Sequence, residues 1–266
     1  MRYHTSAEVK SIQIKDGVAE GIKLENEKYY PSDIILSNAD RFYTEEYLLP
    51  SRYREYQKSH WGKAKSSYSA LLLFLGANRK IPQLAHHNFF FAENWNKHLR
   101  DIENGELSEN PSFYINMPSV TDTACAPSNM ENIFVLVPIP NTPSISSAKL
   151  AKYGDKITQK LISIVPDLKE AIIFQKRWYP QDFADRYNLF QGSALGLAQT
   201  LFQTGPLRPS HKNKQIKNLY YVGSTTNPGI GIPTCLVSAM QIFRDVATRD
   251  IAYNSFTKKP FTKLNR

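Results

Sequence analysis

The chain has 266 residues, 41% of them hydrophobic and 21% charged, and a formal net charge of +9. This length can bury a sizeable core in one large domain or in two smaller ones. The longest apolar run, residues 70–77, is far shorter than the roughly 20 residues of a membrane-spanning helix, and residues 1–6 lead into a strand pattern rather than a signal peptide. Two cysteines outside any CxxC arrangement argue against a disulfide framework or a zinc site. We therefore expect a cytoplasmic protein that is soluble or peripheral to a membrane.

The positive charge has three candidate partners: nucleic acid, an anionic membrane surface, and a phosphate-bearing ligand. The basic residues are densest at 211–217 and 258–266. Neither stretch carries zinc-finger spacing or an aromatic RNA-binding motif, so we expect no nucleic-acid partner. A solvated surface is the simpler interpretation of both stretches.

The first 40 residues predict a small antiparallel sheet. Residues 9–14 and 18–24 have strand character, and the Asp-Gly pair at 16–17 is a strong hairpin signal. A polar turn then leads to an apolar strand at 34–37, which we expect to be the last element of a three-element β-meander. So small a sheet must pack on another part of the protein, and we expect that partner to precede residue 1.

The middle of the chain predicts one α+β domain with a mainly antiparallel sheet. A charged helical pattern at 42–65 comes first, and a longer helix is predicted at 147–165. Strand patterns separated by Pro-, Asn- and Asp-rich turns occur at residues 67–76, 87–92, 113–117, 133–138 and 171–178.

The last third combines a short strand at 218–222, a loop of small residues at 223–231 and a helix that begins near Pro233. Strand, glycine loop and helix together aim backbone N–H groups at an electron-rich ligand. The Gly-x-Gly at 229–231 lacks the third glycine of a dinucleotide fingerprint, so a tight structural turn is the competing interpretation. One apolar stripe is expected on the helix, formed by Leu236, Val237, Met240, Phe243, Val246 and Ala247.

Residues 218–240, NLYYVGSTTNPGIGIPTCLVSAM, resemble the C-terminal signature of the carotenoid desaturases. Residues 7–50, 88–138 and 188–209 are similar to three further segments of that family, in the same order. The resemblance covers nearly the whole chain. It identifies the sequence as similar to the C-terminal half of a phytoene or diapophytoene desaturase.

The resemblance implies a mixed α/β (α+β) flavoprotein of the amine-oxidase-like type. Residues 1–45 and 190–252 would belong to an incomplete FAD-binding domain, residues 46–189 to the substrate domain, and residues 253–266 to a basic tail. The family's GxGxxG turn is absent, so the N-terminal half would be a separate chain or missing sequence. Expected partners are a long apolar polyene and an anionic membrane surface. Two alternatives stay open: a catalytically silent fragment, and a polyene isomerase or saturase on the same scaffold.

By the same resemblance, FAD would be contacted mainly through backbone by Val9, Gly223, Ser224, Gly229, Ile230, Gly231 and Ile232. The stretch from Gly229 to Ile232 would lie against the isoalloxazine, and Gly223 and Ser224 beside the ribityl and diphosphate chain. Val9 would meet the adenine side, although it fits an ordinary core position equally well. No side chain is assigned as catalytic and no metal is expected, because FAD takes the hydride while the protein orients the substrate and excludes water.

Two positions depart from the family signature. Asn227 replaces the usual His before Pro-Gly, and Met240 replaces the usual Lys. Asparagine cannot carry a proton near neutral pH, so proton transfer at this position is in doubt. His86 and His87 are expected to be packing or surface residues, and Arg208 is expected to form a structural salt bridge or to face a flavin phosphate.

Overall fold

The computed structural model describes residues 2–141 and 145–257. The chain divides into two compact units. Within the described residues, unit 1 combines residues 2–65 with residues 196–257, and unit 2 lies within residues 66–195.

The boundaries between the units lie at 65/66 and 195/196, later in the chain than the boundaries expected at 45/46 and 189/190. Residues up to Lys65 remain in unit 1 because the Lys65 backbone is hydrogen-bonded there: its N–H donates to Gln203 Oε1 at 2.7 Å, and its carbonyl accepts from the Ala198 N–H at 2.9 Å. Of the expected basic tail, residues 258–266 lie outside the described residues.

The strands are β1 (Val9–Lys15), β2 (Val18–Leu24), β3 (Tyr29–Pro31), β4 (Ile35–Ser37), β5 (Ser69–Ala77), β6 (His87–Phe90), β7 (Phe113–Asn116), β8 (Glu131–Ile139), β9 (Ile172–Trp178) and β10 (Leu219–Tyr221). The α-helices are α1 (Arg41–Tyr43), α2 (Lys58–Lys63), α3 (Trp95–Glu103), α4 (Ser147–Ile164), α5 (Leu168–Ala171), α6 (Pro180–Tyr187) and α7 (Ile232–Thr257).

Unit 1 contains the expected β-meander, with one correction to its membership. β1, β2 and β3 pair antiparallel in that order, and the β1–β2 turn has positive φ at both Asp16 and Gly17, as a tight hairpin turn requires. The prediction that the 34–37 strand closes this meander is wrong: β4 pairs in parallel with β10 instead, with Ile35 opposite Leu219. The carbonyl of Asn218 and the N–H of Val222 complete this parallel ladder.

Within the described residues, the meander packs on segments that follow it in the chain. Its buried residues join one apolar cluster with parts of β4, the 48–49 segment and β10: Ile12, Ala19, Ile35, Leu48, Leu49, Ile216, Leu219 and Tyr221. The partner could not be found from local pattern, because β10 is distant in sequence.

The predicted helix at 42–65 is wrong as one element. The structure has a π-helical turn at 44–48, a 3-10 turn at 51–53, and the short α2. Leu49 is extended, with φ −109° and ψ 140°, as a residue before proline favours, and this breaks the helical pattern.

Unit 2 is built on an antiparallel five-stranded sheet in the order β6-β7-β8-β5-β9, which confirms the predicted sheet type. One face of the sheet packs against α4 and α5. Its core alternates along the strands: in β8, Ile133, Val135 and Val137 are buried, and in α4, Ile157 and Leu161 meet them in the same cluster.

The apolar stripe of α7 faces outward. Ile232, Leu236, Met240 and Phe243 are exposed, whereas Ser238 and Ile242 are buried. The helix is held by its other side: Ser238 Oγ lies 3.2 Å from Thr226 Oγ1, and Asp245 pairs with His211 at 2.8 Å.

Candidate functional site

The second face of the unit 2 sheet is apolar and only partly covered. We define the apolar sheet face by Leu72, Phe74, Phe89, Tyr114, Phe134, Leu136 and Trp178. The register aligns them in rows across the strands: Leu72 lies opposite both Leu136 and Trp178, and Phe74 lies opposite Phe134. Because these positions alternate with the buried core positions, they point away from α4.

Aromatic contacts order this face. The ring centroids of Phe74 and Phe134 are 5.6 Å apart, and those of Phe74 and Trp178 are 5.3 Å apart. Phe183 of α6 covers part of it, and Phe89 at the outer strand is exposed. The face therefore forms a partly exposed apolar surface within unit 2.

The glycine loop of unit 1, residues 223–231, begins where two parallel strands end. β4 is followed by Asn38, and β10 is followed after one residue by Gly223. A Cβ at Gly223, which has φ +114°, would lie 3.0 Å from Asn38 Oδ1. The carboxyl ends of parallel strands are where α/β sheets bind ligands.

Hydrogen bonds hold the first half of the loop, residues 223–227. The Thr226 N–H and hydroxyl donate to the Gly223 carbonyl, the latter at 3.0 Å. The Asn227 N–H donates to the Pro209 carbonyl, and Asn227 Nδ2 donates to the Gly205 carbonyl at 3.1 Å. The loop is thus ordered by contacts within unit 1.

Two further glycines need conformations that side chains rarely adopt. Gly229 has φ +131° and Gly231 has φ +116°. Gly229 is buried, and a Cβ there would lie 2.8 Å from Gln199 Nε2, whereas Gly231 is exposed.

Helix α7 starts directly after the loop. The Gly231 carbonyl accepts from the Cys235 N–H at 2.9 Å and from Thr234 Oγ1 at 2.7 Å. The N–H groups of Ile232 and Thr234 belong to the first turn, where a helix supplies no acceptor of its own. Since Ile232 is exposed, this positive end of the helix is accessible.

Arg208 departs from the expected salt bridge. It is 3% exposed, and its guanidinium donates to the main-chain carbonyls of Thr226, Gln203, Leu197 and Ser224. No carboxylate forms an ion pair with it in the described part of the chain. Burial lowers the pKa of Arg208.

Six of the seven expected FAD contacts lie within residues 223–232, which form the glycine loop and the first residue of α7 in the structure. Val9 lies apart on β1, where its side chain packs against the cluster that contains Tyr221 of β10. His86 and His87 lie at the exposed edge of the unit 2 sheet, hydrogen-bonded to Thr121 and Tyr114.

Sequence reasoning missed Asn38 beside the loop, and for Arg208 it expected a salt bridge where the structure shows main-chain partners. Asn38 carried one usable signal, its place directly after an apolar strand. The main-chain role of Arg208 carried none, because its acceptors are carbonyl groups, which every residue has.

The chain is similar to curated carotenoid enzymes over most of its length. It is 34% identical over 254 residues to the zeta-carotene-forming phytoene desaturase of Myxococcus xanthus, covering 93% of this chain and 48% of that protein. It is 34% identical to the carotenoid 3,4-desaturase of Haloarcula japonica, covering 92% and 50%, and 32% identical to the 4,4'-diapophytoene desaturase of Staphylococcus haemolyticus, covering 95% and 52%. The chain thus spans about half the length of the curated relatives that it matches.

Solved structures share the fold. An oxidoreductase from Methanosarcina mazei matches with a TM-score of 0.52 and 15% identity, covering 91% of this chain and 49% of that one. A protein from Pyrococcus furiosus matches with a TM-score of 0.52 and 15% identity, covering 88% and 45%. No protein-family model matches the chain. Across the described residues, no helix has both the length and the apolarity for a membrane crossing.

Proposed function

Because this chain belongs to the family of carotenoid desaturases, we propose that it forms the C-terminal part of an FAD-dependent enzyme that introduces double bonds into phytoene or diapophytoene. The observation that carries the proposal is the glycine loop, which joins the carboxyl end of a parallel strand pair to the exposed first turn of α7. Such a junction suits an electron-rich ligand.

The loop residues fit FAD. Gly223, Gly229 and Gly231 all have positive φ, which side chains rarely adopt, so glycine at these positions keeps the loop in the conformation that we assign to FAD binding. We assign the isoalloxazine to the stretch from Gly229 through Ile230 and Gly231 to Ile232, and the ribityl and diphosphate chain to Gly223 and Ser224. The adenine side is assigned to the backbone of Val9, since the Val9 side chain packs in the core.

When bound, FAD supplies the hydride acceptor for desaturation. The contribution of this chain is electrostatic: the positive end of α7, with the first-turn N–H groups of Ile232 and Thr234, stabilises a negative charge beside the loop by about 0.3–1 kcal/mol in total where the helix end is exposed. Asn227, at the family's His position, holds the Gly205 carbonyl and takes no proton.

The apolar sheet face is proposed to bind the polyene. Its central rows contain Leu72, Leu136 and Phe134. Burying apolar surface stabilises binding by about 25 cal/mol per Å². A substrate that lacks polar groups needs this area and the exclusion of water more than it needs a titratable side chain.

The relatives contain a further half that this chain does not span. Unit 1 has an exposed apolar surface that suits the docking of that half. The exposed stripe of α7 is continuous, because Ile232, Leu236, Met240 and Phe243 follow helical spacing. β4 is paired only with β10 among the described strands, and Leu36 on it is exposed. A two-stranded parallel sheet is marginal alone and normally covered on both faces. We assign this surface to docking of the remaining FAD-binding half, in the same polypeptide or in a separate one.

The test is reconstitution. The chain is co-expressed with the complementary half of the Myxococcus xanthus phytoene desaturase, and flavin per complex and polyene products are measured. The two halves of that relative, co-expressed, serve as the assembly control. A complex that holds flavin and forms desaturated products supports the proposal. A folded complex without flavin supports the alternative of a catalytically silent fragment. Isomerised or saturated products support the alternative of a polyene isomerase or saturase.

A matched pair of variants tests the loop. Gly231→Val adds a β-branched side chain at φ +116° and should remove flavin while both units stay folded. Gly62→Val is the control, since an added Cβ at Gly62 meets no heavy atom within 4 Å. Full flavin content in Gly231→Val would show that the loop does not contact the cofactor.

A further inference from the structure

Arg208 stands out as a buried cation in the immediate surroundings of the glycine loop. Its Nε donates to the Thr226 carbonyl at 3.0 Å, and Nη2 donates to the Ser224 carbonyl. Its other bonds reach the preceding segment, with Nη1 to Gln203 O at 3.0 Å and Nη2 to Leu197 O at 3.2 Å. One guanidinium therefore fastens the loop to residues 197–203.

The loop also wraps around this side chain further along. A Cβ built at Gly229 would lie 3.3 Å from Arg208 Nε and 3.4 Å from Cζ. Guanidinium bonds at Ser224 and Thr226 and close packing at Gly229 together span most of the loop. Loss of the side chain would free the segment whose glycine conformations the cofactor requires.

No carboxylate of the described residues balances the positive charge of Arg208. A second buried arginine of unit 1, by contrast, is paired with carboxylates. Arg41 is fully buried and pairs with the carboxylates of Glu45, at 2.9 Å, and Glu55. Arg208 is buried to nearly the same degree, yet its partners in the described part of the chain are carbonyl dipoles alone. A purely structural clamp does not need an unpaired buried charge, which is costly to desolvate.

We propose that Arg208 is a positioning residue that clamps the glycine loop and adds an uncompensated positive charge beneath it, so that the loop favours an anionic group of its ligand, the reduced flavin above all. The charge acts at the same loop as the positive end of α7. The effect of the charge on flavin rests on the proposed function. The clamping of the loop by Arg208 does not depend on it.

The clamp is tested on the 266-residue chain without cofactor. Hydrogen exchange of residues 223–231 is measured first in the unmutated chain, where protection is expected, and then in Arg208→Met and Arg208→Lys. Both variants should lose at least tenfold in protection there, while the β-meander peptides stay unchanged. Arg54→Met, which removes an ion pair with Glu46 in the same unit, is the control and should leave the loop protected. An unprotected loop in the unmutated chain, or a protected one in both variants, overturns the clamp.

The charge is tested in the flavin-loaded reconstituted enzyme by the reduction potential of the flavin. Arg208→Met should weaken binding of reduced over oxidised flavin at least tenfold, which lowers a two-electron potential by about 30 mV. Arg208→Lys, which keeps the charge, should lower it less. An unchanged potential in Arg208→Met with flavin bound overturns the charge effect, whereas absence of flavin from the unmutated complex refutes the proposed function instead.

Discussion

Substituting Arg41 by methionine should destabilise unit 1 strongly at neutral pH. Arg41 is buried between Glu45 and Glu55, and its guanidinium lies 4.1 Å from the ring centroid of Tyr221, two residues before the loop. Methionine keeps the volume but leaves two buried carboxylates without their cation. Breaking a buried pair in this way costs about 3–5 kcal/mol, a large part of the roughly 5–15 kcal/mol that holds a typical domain folded.

The loss should shrink in acid. Burial raises the pKa of Glu45 above its ordinary value of 4.5, against the opposing effect of Arg41. Between 4.5 and that raised pKa the folded state binds more protons than the unfolded state, so stability falls as pH rises through this window. Removing Arg41 widens the window, and the deficit of Arg41→Met should therefore be smaller near pH 4.5 than near pH 7.

Hydrogen exchange of peptides from β4 and β10 measures the opening free energy of unit 1 separately from unit 2. The triple variant Arg41→Met, Glu45→Gln, Glu55→Gln is the key control, because neutral side chains should recover most of the loss. A deficit below about 1 kcal/mol in Arg41→Met, the scale of an exposed pair, would refute the reasoning. So would a deficit that grows in acid.

Three further outcomes are expected. The 266-residue chain alone should purify without flavin, since the diphosphate turn implied by the family resemblance is absent from it; stoichiometric flavin absorbance would contradict this. The intact enzyme should bind vesicles that contain anionic lipid in a salt-sensitive way, at about 1 kcal/mol per basic residue near the surface, and sedimentation unaffected by salt would argue against it. Asn227→Ala should destabilise the loop by about 1 kcal/mol, the scale of the hydrogen bond from Asn227 Nδ2 to the Gly205 carbonyl, and the variant should keep reduced activity. Complete loss of activity would assign Asn227 a larger role.

The sequence predicted those parts of the fold that local pattern controls. Alternating burial along β8 and the long amphipathic α4 are periodicities of 2 and 3.6 residues, and both elements formed within a few residues of their predicted bounds. The pairing of β4 with β10 was missed, because three-residue strands carry no register information of their own. The 42–65 segment broke at Leu49 because of the following proline.

The part of the candidate site that could be predicted from sequence is the part where glycine is needed for a positive φ. Glycines at 223, 229 and 231 were visible as glycines, and all three have positive φ. The contacts of Arg208 are with carbonyl groups brought near by tertiary folding, which no side-chain pattern encodes.

The hydrogen bonds of Lys65 have an evolutionary consequence. The Lys65 N–H and carbonyl are held by Gln203 and Ala198, so the chain leaves unit 1 and re-enters it at neighbouring points. A segment whose two ends lie close together can be lengthened, shortened or exchanged as a block without shifting the strands of unit 1. The hydrogen bonds of Lys65 already hold its ends together, so a longer segment adds little loop-closure entropy. Residues 66–195 are such a block. Under the proposed assignment of the polyene to the apolar sheet face, a change in this insert would alter the accepted polyene length, while β4, β10 and the glycine loop keep their places.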